Sequence, residues 1–113
     1  MSSPEMPIFT RTFDLIEWLL PVTEKFPRAH RYSFTLRLLN TAFDLRERLD
    51  QANNRRGEAR RERLQRADES LTSLRMYIRL AAHWQWLTPG QYQHVAHMLV
   101  EIGRLLGAWQ KIS

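Results

Sequence analysis

Apolar side chains recur every three or four residues along most of the chain, the spacing that holds them on one side of a helix. No window alternates with the period of two that a half-exposed strand requires. Proline, glycine and asparagine cut this pattern into four segments. The first spans about residues 8–25, with Phe9, Phe13, Ile16 and Leu20 as its stripe. Pro21 should kink or tighten its last turn, and Pro27 disfavours helical geometry at Phe26. The second, about 29–53, carries Phe34, Leu38, Ala42, Leu45, Leu49 and Ala52 and stops in the turn-forming run from Asn53 to Gly57. The third, about 58–86, sets Leu64, Ala67, Leu71, Leu74, Ile78 and Ala81 in strict alternation of threes and fours. Tyr77, Leu80 and Trp84 broaden that stripe beyond what one neighbouring helix needs.

The fourth segment, about 89–111, opens on Thr88 as N-cap, Pro89 at the first helical position and Gln91 in capping-box position. Tyr92, Val95, Leu99, Ile102, Leu106 and Trp109 form its stripe. Gly103 and Gly107 lie one turn apart, and glycine costs about 1 kcal/mol inside a helix, which points to close approach of another helix there. The predicted fold is all-α: a single domain over 1–113, an up-and-down antiparallel four-helix bundle. The width of the third stripe and four tryptophans (18, 84, 86 and 109) imply more burial than a monomer supplies, hence a homo-oligomer.

Composition removes several classes of function. The 113 residues contain no cysteine, which excludes disulfides, thiolate metal sites and cysteine nucleophiles, and suits a reducing cytoplasm. Neither a signal peptide nor a membrane span is expected. The four glycines sit in no strand-to-helix turn, so there is no phosphate-cradling loop or dinucleotide fingerprint. No histidine has a glutamate three residues before it, as a di-iron bundle would require. His94, His97 and Glu101 share a helical face, but one opposite the apolar stripe, and a solvated cluster is the better reading. No catalytic residues, metal or cofactor are therefore expected.

Charge points elsewhere. The formal net charge is +5, and 15 of 17 basic residues are arginine, whose guanidinium matches phosphate and carboxylate oxygens in a planar fork. Eight arginines (Arg46, Arg48, Arg55, Arg56, Arg60, Arg61, Arg63, Arg66) face only four acids across the turn between the second and third segments. Asp44 with Arg48 and Glu62 with Arg66 should pair along the helices, but such pairs neutralise a minority, and all eight, with Arg28 and Arg31, read as a nucleic-acid-binding surface. Arg28 and Arg31 make a second basic cluster. Arg75 and Arg79, one turn apart beside the third stripe, are placed either to line an interface or to lay their stems on the core.

FPRAHRYS at 26–33, LRMYIRLA at 74–81 and LTPGQYQHVAHMLVEIGRLLGAW at 87–109 together resemble the accessory variability determinant proteins of diversity-generating retroelements. The likeness runs from about Phe13 to Trp109 and is most specific in the final block. It implies a four-helix bundle assembled into a ring-like homopentamer with a positively charged surface. It further implies association with the retroelement's reverse transcriptase and with RNA and DNA, in support of mutagenic copying of a template repeat, the catalysis being the transcriptase's. Arg75 and Arg79 then correspond to a basic pair of the third helix implicated in partner contact, and Arg28 to the basic residue of the FPR turn. The 46–66 region varies within that family, so a role for its arginines rests on charge alone. Two alternatives stand beside this one: the four-helix RNA-binding proteins encoded in intervening sequences of ribosomal RNA genes, and a structural oligomeric scaffold docking an acidic protein.

Overall fold

Where the three-and-four spacing is strictest, the helices bury the residues it selects. The computed structural model describes residues 6–113, with α1 at Pro7–Thr23, α2 at Leu36–Asn53, α3 at Gly57–His83 and α4 at Pro89–Ile112. In α3 the buried residues are Leu64, Ala67, Leu71, Leu74, Ile78 and Ala81, and in α4 Val95, Leu99, Ile102, Leu106 and Trp109, with Tyr92 half-buried. In α2 they are Leu38, Ala42, Leu45, Leu49 and Ala52. The four helices run up and down as an antiparallel bundle 43 Å long and 24 Å across, with α2 and α3 the most extensively packed pair. All described residues of regular structure are helical.

Helix α1 departs from its expected stripe. Its inward face is Ile8, Phe9, Thr12, Leu15, Leu19 and Thr23, whereas Phe13 and Leu20 are exposed and Ile16 is half-buried. Two threonines hold core positions because their hydroxyls are satisfied by the preceding turn. Thr12 Oγ1 donates to the Ile8 carbonyl at 2.9 Å and Thr23 Oγ1 to the Leu19 carbonyl at 2.8 Å, so neither is a buried orphan. Counting apolar letters alone therefore selects a second, outer face.

The two connections at the far end of the bundle also differ from a plain helix reading. The expected second helix from residue 29 begins instead as a 3₁₀ turn, Arg28–His30, followed by a π-helical turn, Arg31–Thr35, where the Leu36 N–H donates to the Arg31 carbonyl. The third helix stops at His83, short of Trp86. Gln85 takes φ +63°, and the N–H groups of Gln85 and Trp86 donate to the Ala82 and Ala81 carbonyls at 3.0 and 2.9 Å. This is a Schellman ending with glutamine where glycine is usual. Thr88 and Gln91 form the expected reciprocal capping box.

At the near end, α2 turns into α3 through Gly57, whose φ of +59° suits a residue without a Cβ. Arg60 closes this turn. Its Nε donates to the Ala52 carbonyl at 2.9 Å and its guanidinium lies over the Trp109 ring, so one side chain satisfies the end of α2 and ties it to α4. Chemical denaturation checks this account: Leu15→Ala is expected to lower the unfolding free energy by about 2–5 kcal/mol. Arg60→Ala should lower it by about 1–2 kcal/mol through the lost cap, with exposed Arg56→Ala within about 0.5 kcal/mol of the parent.

Candidate nucleic-acid interface

The antiparallel arrangement gives the bundle two chemically different ends. One gathers the α2–α3 turn, the start of α1 and the end of α4; the Arg61 guanidinium donates to the Ser113 carbonyl at 3.0 Å and Arg46 to the Phe9 carbonyl at 2.9 Å. The eight arginines between 46 and 66 lie along the half of the bundle that ends here. Six of them have structural partners. Arg46 pairs with Asp50 at 3.1 Å, Arg61 with Glu58 at 2.8 Å, and Arg66 and Arg63 share Glu62 at 3.0 and 3.8 Å. Arg55 donates to the Gln51 carbonyl and Arg60 caps α2. Arg48 and Arg56 make no hydrogen bond or ion pair among the described residues. The expected Glu62–Arg66 pair forms; Asp44 and Arg48 instead border a shallow groove with Arg66 and Glu69. Ion pairs this exposed contribute about 0–1 kcal/mol and leave the guanidinium groups at the surface, but they reduce its positive density.

The opposite end carries the stronger imbalance. Residues 25–43 and 70–100, which supply the α1–α2 and α3–α4 connections and the helical turns beside them, contain Lys25, Arg28, Arg31, Arg37, Arg75 and Arg79 without a single Asp or Glu. The nearest carboxylates along the chain are Glu24, Asp44, Glu69 and Glu101, which bound the two stretches. None of those six cationic side chains makes a hydrogen bond or ion pair among the described residues, and all but Lys25 are arginine. Arg28, Arg31, Arg37 and Arg79 are exposed.

Two recesses open on this half. Arg75 and Arg79 rim a groove between α3 and α4 whose floor is Ile78, Tyr92, Ala96 and Leu99, with exposed Val100 at its edge. The close approach expected at Gly103 is made here by the Arg75 guanidinium rather than by a helix backbone: it occupies the space a Cβ at 103 would need, while Gly107 has nothing beside it. The second recess, about 620 Å³, is lined by His30, Ser33, Phe34, Trp84 and Trp86. Its rings form a continuous cluster, with Trp84 and Trp86 centroids 4.9 Å apart, Phe34 edge-on to both, and His30 stacked on Trp86 at 5.4 Å. The spacing alone does not bring these rings together, because it extends α3 through Trp84 and Trp86, whereas the helix ends at His83. The available signal was the acid-free run on either side.

His94, His97 and Glu101 do not converge. His94 lies against the Trp18 ring at 5.4 Å, because α1 packs beside the face expected to be solvated, while His97 and Glu101 border a groove with Arg11 and Asp14. The Arg104 guanidinium hydrogen-bonds Glu101 at 2.7 Å and holds its carboxyl below the ordinary range. No group of three or more His, Asp or Glu is placed to hold a metal ion, and no helix is long and apolar enough to cross a membrane, among the described residues.

The fold is shared with a protein of unknown function from the S23 ribosomal protein family of Bacteroides thetaiotaomicron. That crystal structure superposes with a TM-score of 0.83 over 93% of this chain and 96% of the other, at 12% identity. At that identity the likeness concerns the fold alone. No curated protein matches the chain. The sequence profile of the bAvd-like family, bacterial accessory variability determinants, matches residues 6–113, all of the described chain. Four helices in this order, an arginine-rich surface and that match over the whole bundle place the chain in the bAvd-like family.

Proposed function

We propose that this protein is a non-catalytic accessory factor of a diversity-generating retroelement, binding the reverse transcriptase together with RNA and DNA during mutagenic copying of the template repeat. The observation that carries this reading is the family match across the entire bundle. The acid-poor end supports it, because arginines without protein partners are available to phosphate oxygens. In this reading Arg28 and Arg31, with Arg37, form the principal nucleic-acid surface, the unpaired Arg48 and Arg56 extend it along the bundle, and the partnered arginines of the α2–α3 turn contribute mainly to the fold. The Arg75–Arg79 groove, apolar on its floor and cationic on its rim, receives the transcriptase.

A ring of five copies fits the leftover apolar surface. Arg46 reaching Phe9 sets the antiparallel register of α1 against α2. The same register brings Phe13, Ile16 and Leu20 level with Phe43, Leu39 and Leu36. Phe13, Leu20, Leu36 and Phe43 are all exposed in the single chain. Two helices with outward apolar rows at matching heights make a subunit contact of ordinary type. Leu20→Glu with Leu36→Glu is expected to convert the assembly to monomer in light scattering while preserving helicity; an unchanged mass would remove these rows from the interface.

A second reading, an RNA-binding protein of the ribosomal RNA intervening-sequence type, draws on the fold shared with the S23-family structure. Co-expression with a reverse transcriptase of a diversity-generating retroelement separates the two. The accessory-factor reading expects stoichiometric co-purification that survives nuclease treatment and is lost in Arg75→Ala/Arg79→Ala with helicity intact. Retention of ribosomal RNA without transcriptase would favour the second. Nucleic-acid affinity should fall steeply with salt, by about 0.7–0.9 log units per log unit of salt for each phosphate contacted. Arg28→Ala/Arg31→Ala should flatten that slope by about 1.5 in a fluorescence anisotropy titration; an unaltered slope would move the phosphate contacts elsewhere.

A further inference from the structure

We infer that the aromatic recess formed by His30, Phe34, Trp84 and Trp86 receives an unpaired nucleobase of single-stranded RNA or DNA, stacked on Trp84. This rests on the proposed nucleic-acid role and adds the strand state and the site. Trp84 is 44% exposed although it belongs to a cluster of four rings, so part of a large π surface faces the recess and not the core. Stacking of bases on aromatic side chains tolerates any sequence, since every base has a π face.

The surrounding charge selects among flat ligands. Aromatic recesses also hold quaternary ammonium groups, but those sites need negative potential, and the acid-free stretches on both sides supply Arg28, Arg31 and Arg79 instead. A ligand combining a planar ring with a neighbouring anion meets both requirements, and a nucleotide is that ligand. A Watson–Crick duplex keeps its bases stacked internally and presents no face to the recess, which therefore discriminates unpaired from paired strands.

The local backbone supports a shaped recess. Ser33 and Phe34 lie on the π-helical turn, and Trp84 and Trp86 flank Gln85 at φ +63°, an arrangement L-residues adopt at a cost. Both departures from regular helix point aromatic side chains at the same space. Trp86 is anchored from below by Phe26, at 5.5 Å between centroids, and from the side by His30. Trp84 and His30 are thus the exposed members of the cluster, and Trp84 presents the larger ring.

The test compares three fluorescent ligands by anisotropy at one salt concentration: an oligothymidine of about twelve nucleotides, the same phosphodiester chain with abasic sugars, and a duplex of equal length. The parent protein is expected to bind oligothymidine about tenfold more tightly than the abasic chain, with quenching of tryptophan fluorescence. Trp84→Ala should abolish that difference and leave abasic and duplex binding unchanged, and Trp84→Phe should keep most of it. Equal binding of oligothymidine and abasic chain by the parent protein overturns the stacking site while leaving the phosphate surface intact, and needs no protein variant. A change in oligomeric mass for Trp84→Ala with the ligand ratio unaltered would assign the recess to a subunit contact instead. Displacement of oligothymidine by micromolar thymidine monophosphate would assign it to a free nucleotide. Failure of all three ligands to bind would remove the nucleic-acid role itself.

Discussion

The α2–α3 hairpin is the constraint from which the rest of the molecule follows. Leucine, isoleucine and alanine occupy both seams at three-and-four spacing, and Leu38, Leu45, Leu49, Leu71 and Leu74 are fully buried. Alanines at 42, 52, 67 and 81 let the two backbones approach, so the hairpin is the tightest unit of the bundle. With α2 and α3 fixed, α1 and α4 close the core from one side only. The outer faces of α2 and α3 stay exposed to solvent.

Much of this was legible in the residues and some was not, for identifiable reasons. The core of α2, α3 and α4 follows from spacing alone because every inward position is apolar. The face of α1 does not, because Thr12 and Thr23 are polar residues made compatible with burial by their own helix. The end of α3 was hidden for a related reason: glutamine at the left-handed position carries no sequence signature, whereas glycine would have marked the stop. Arginine count pointed to the α2–α3 turn, yet six of the eight residues there are held by acids or carbonyls of the same end. A run of cations lacking any acid leaves more guanidinium groups without internal partners than a dense one interleaved with carboxylates.

The two ends divide the labour of the bundle. At the α2–α3 end, Arg60 joins α2 to α4 through a carbonyl and an indole, and Arg61 holds the last residue of the chain. Guanidinium groups there behave as structural fasteners. At the other end, aromatic packing orders the connections together with the backbone hydrogen bonds of the Schellman ending and the Thr88–Gln91 capping box. A surface of rings and unpartnered cations adapts to ligands more readily than one already committed to internal bonds.

Gly103 governs how freely the Arg75 side chain moves. By leaving room on α4, it lets the guanidinium of Arg75 lie in a notch beside the helix instead of sweeping freely through solvent. A long side chain ordinarily surrenders rotamer entropy when a partner captures it, of order 1.5–2 kcal/mol for arginine. A cation already parked in a recess has less to surrender. The glycine weakens its own helix slightly, and it holds one charge of the groove in a preset position.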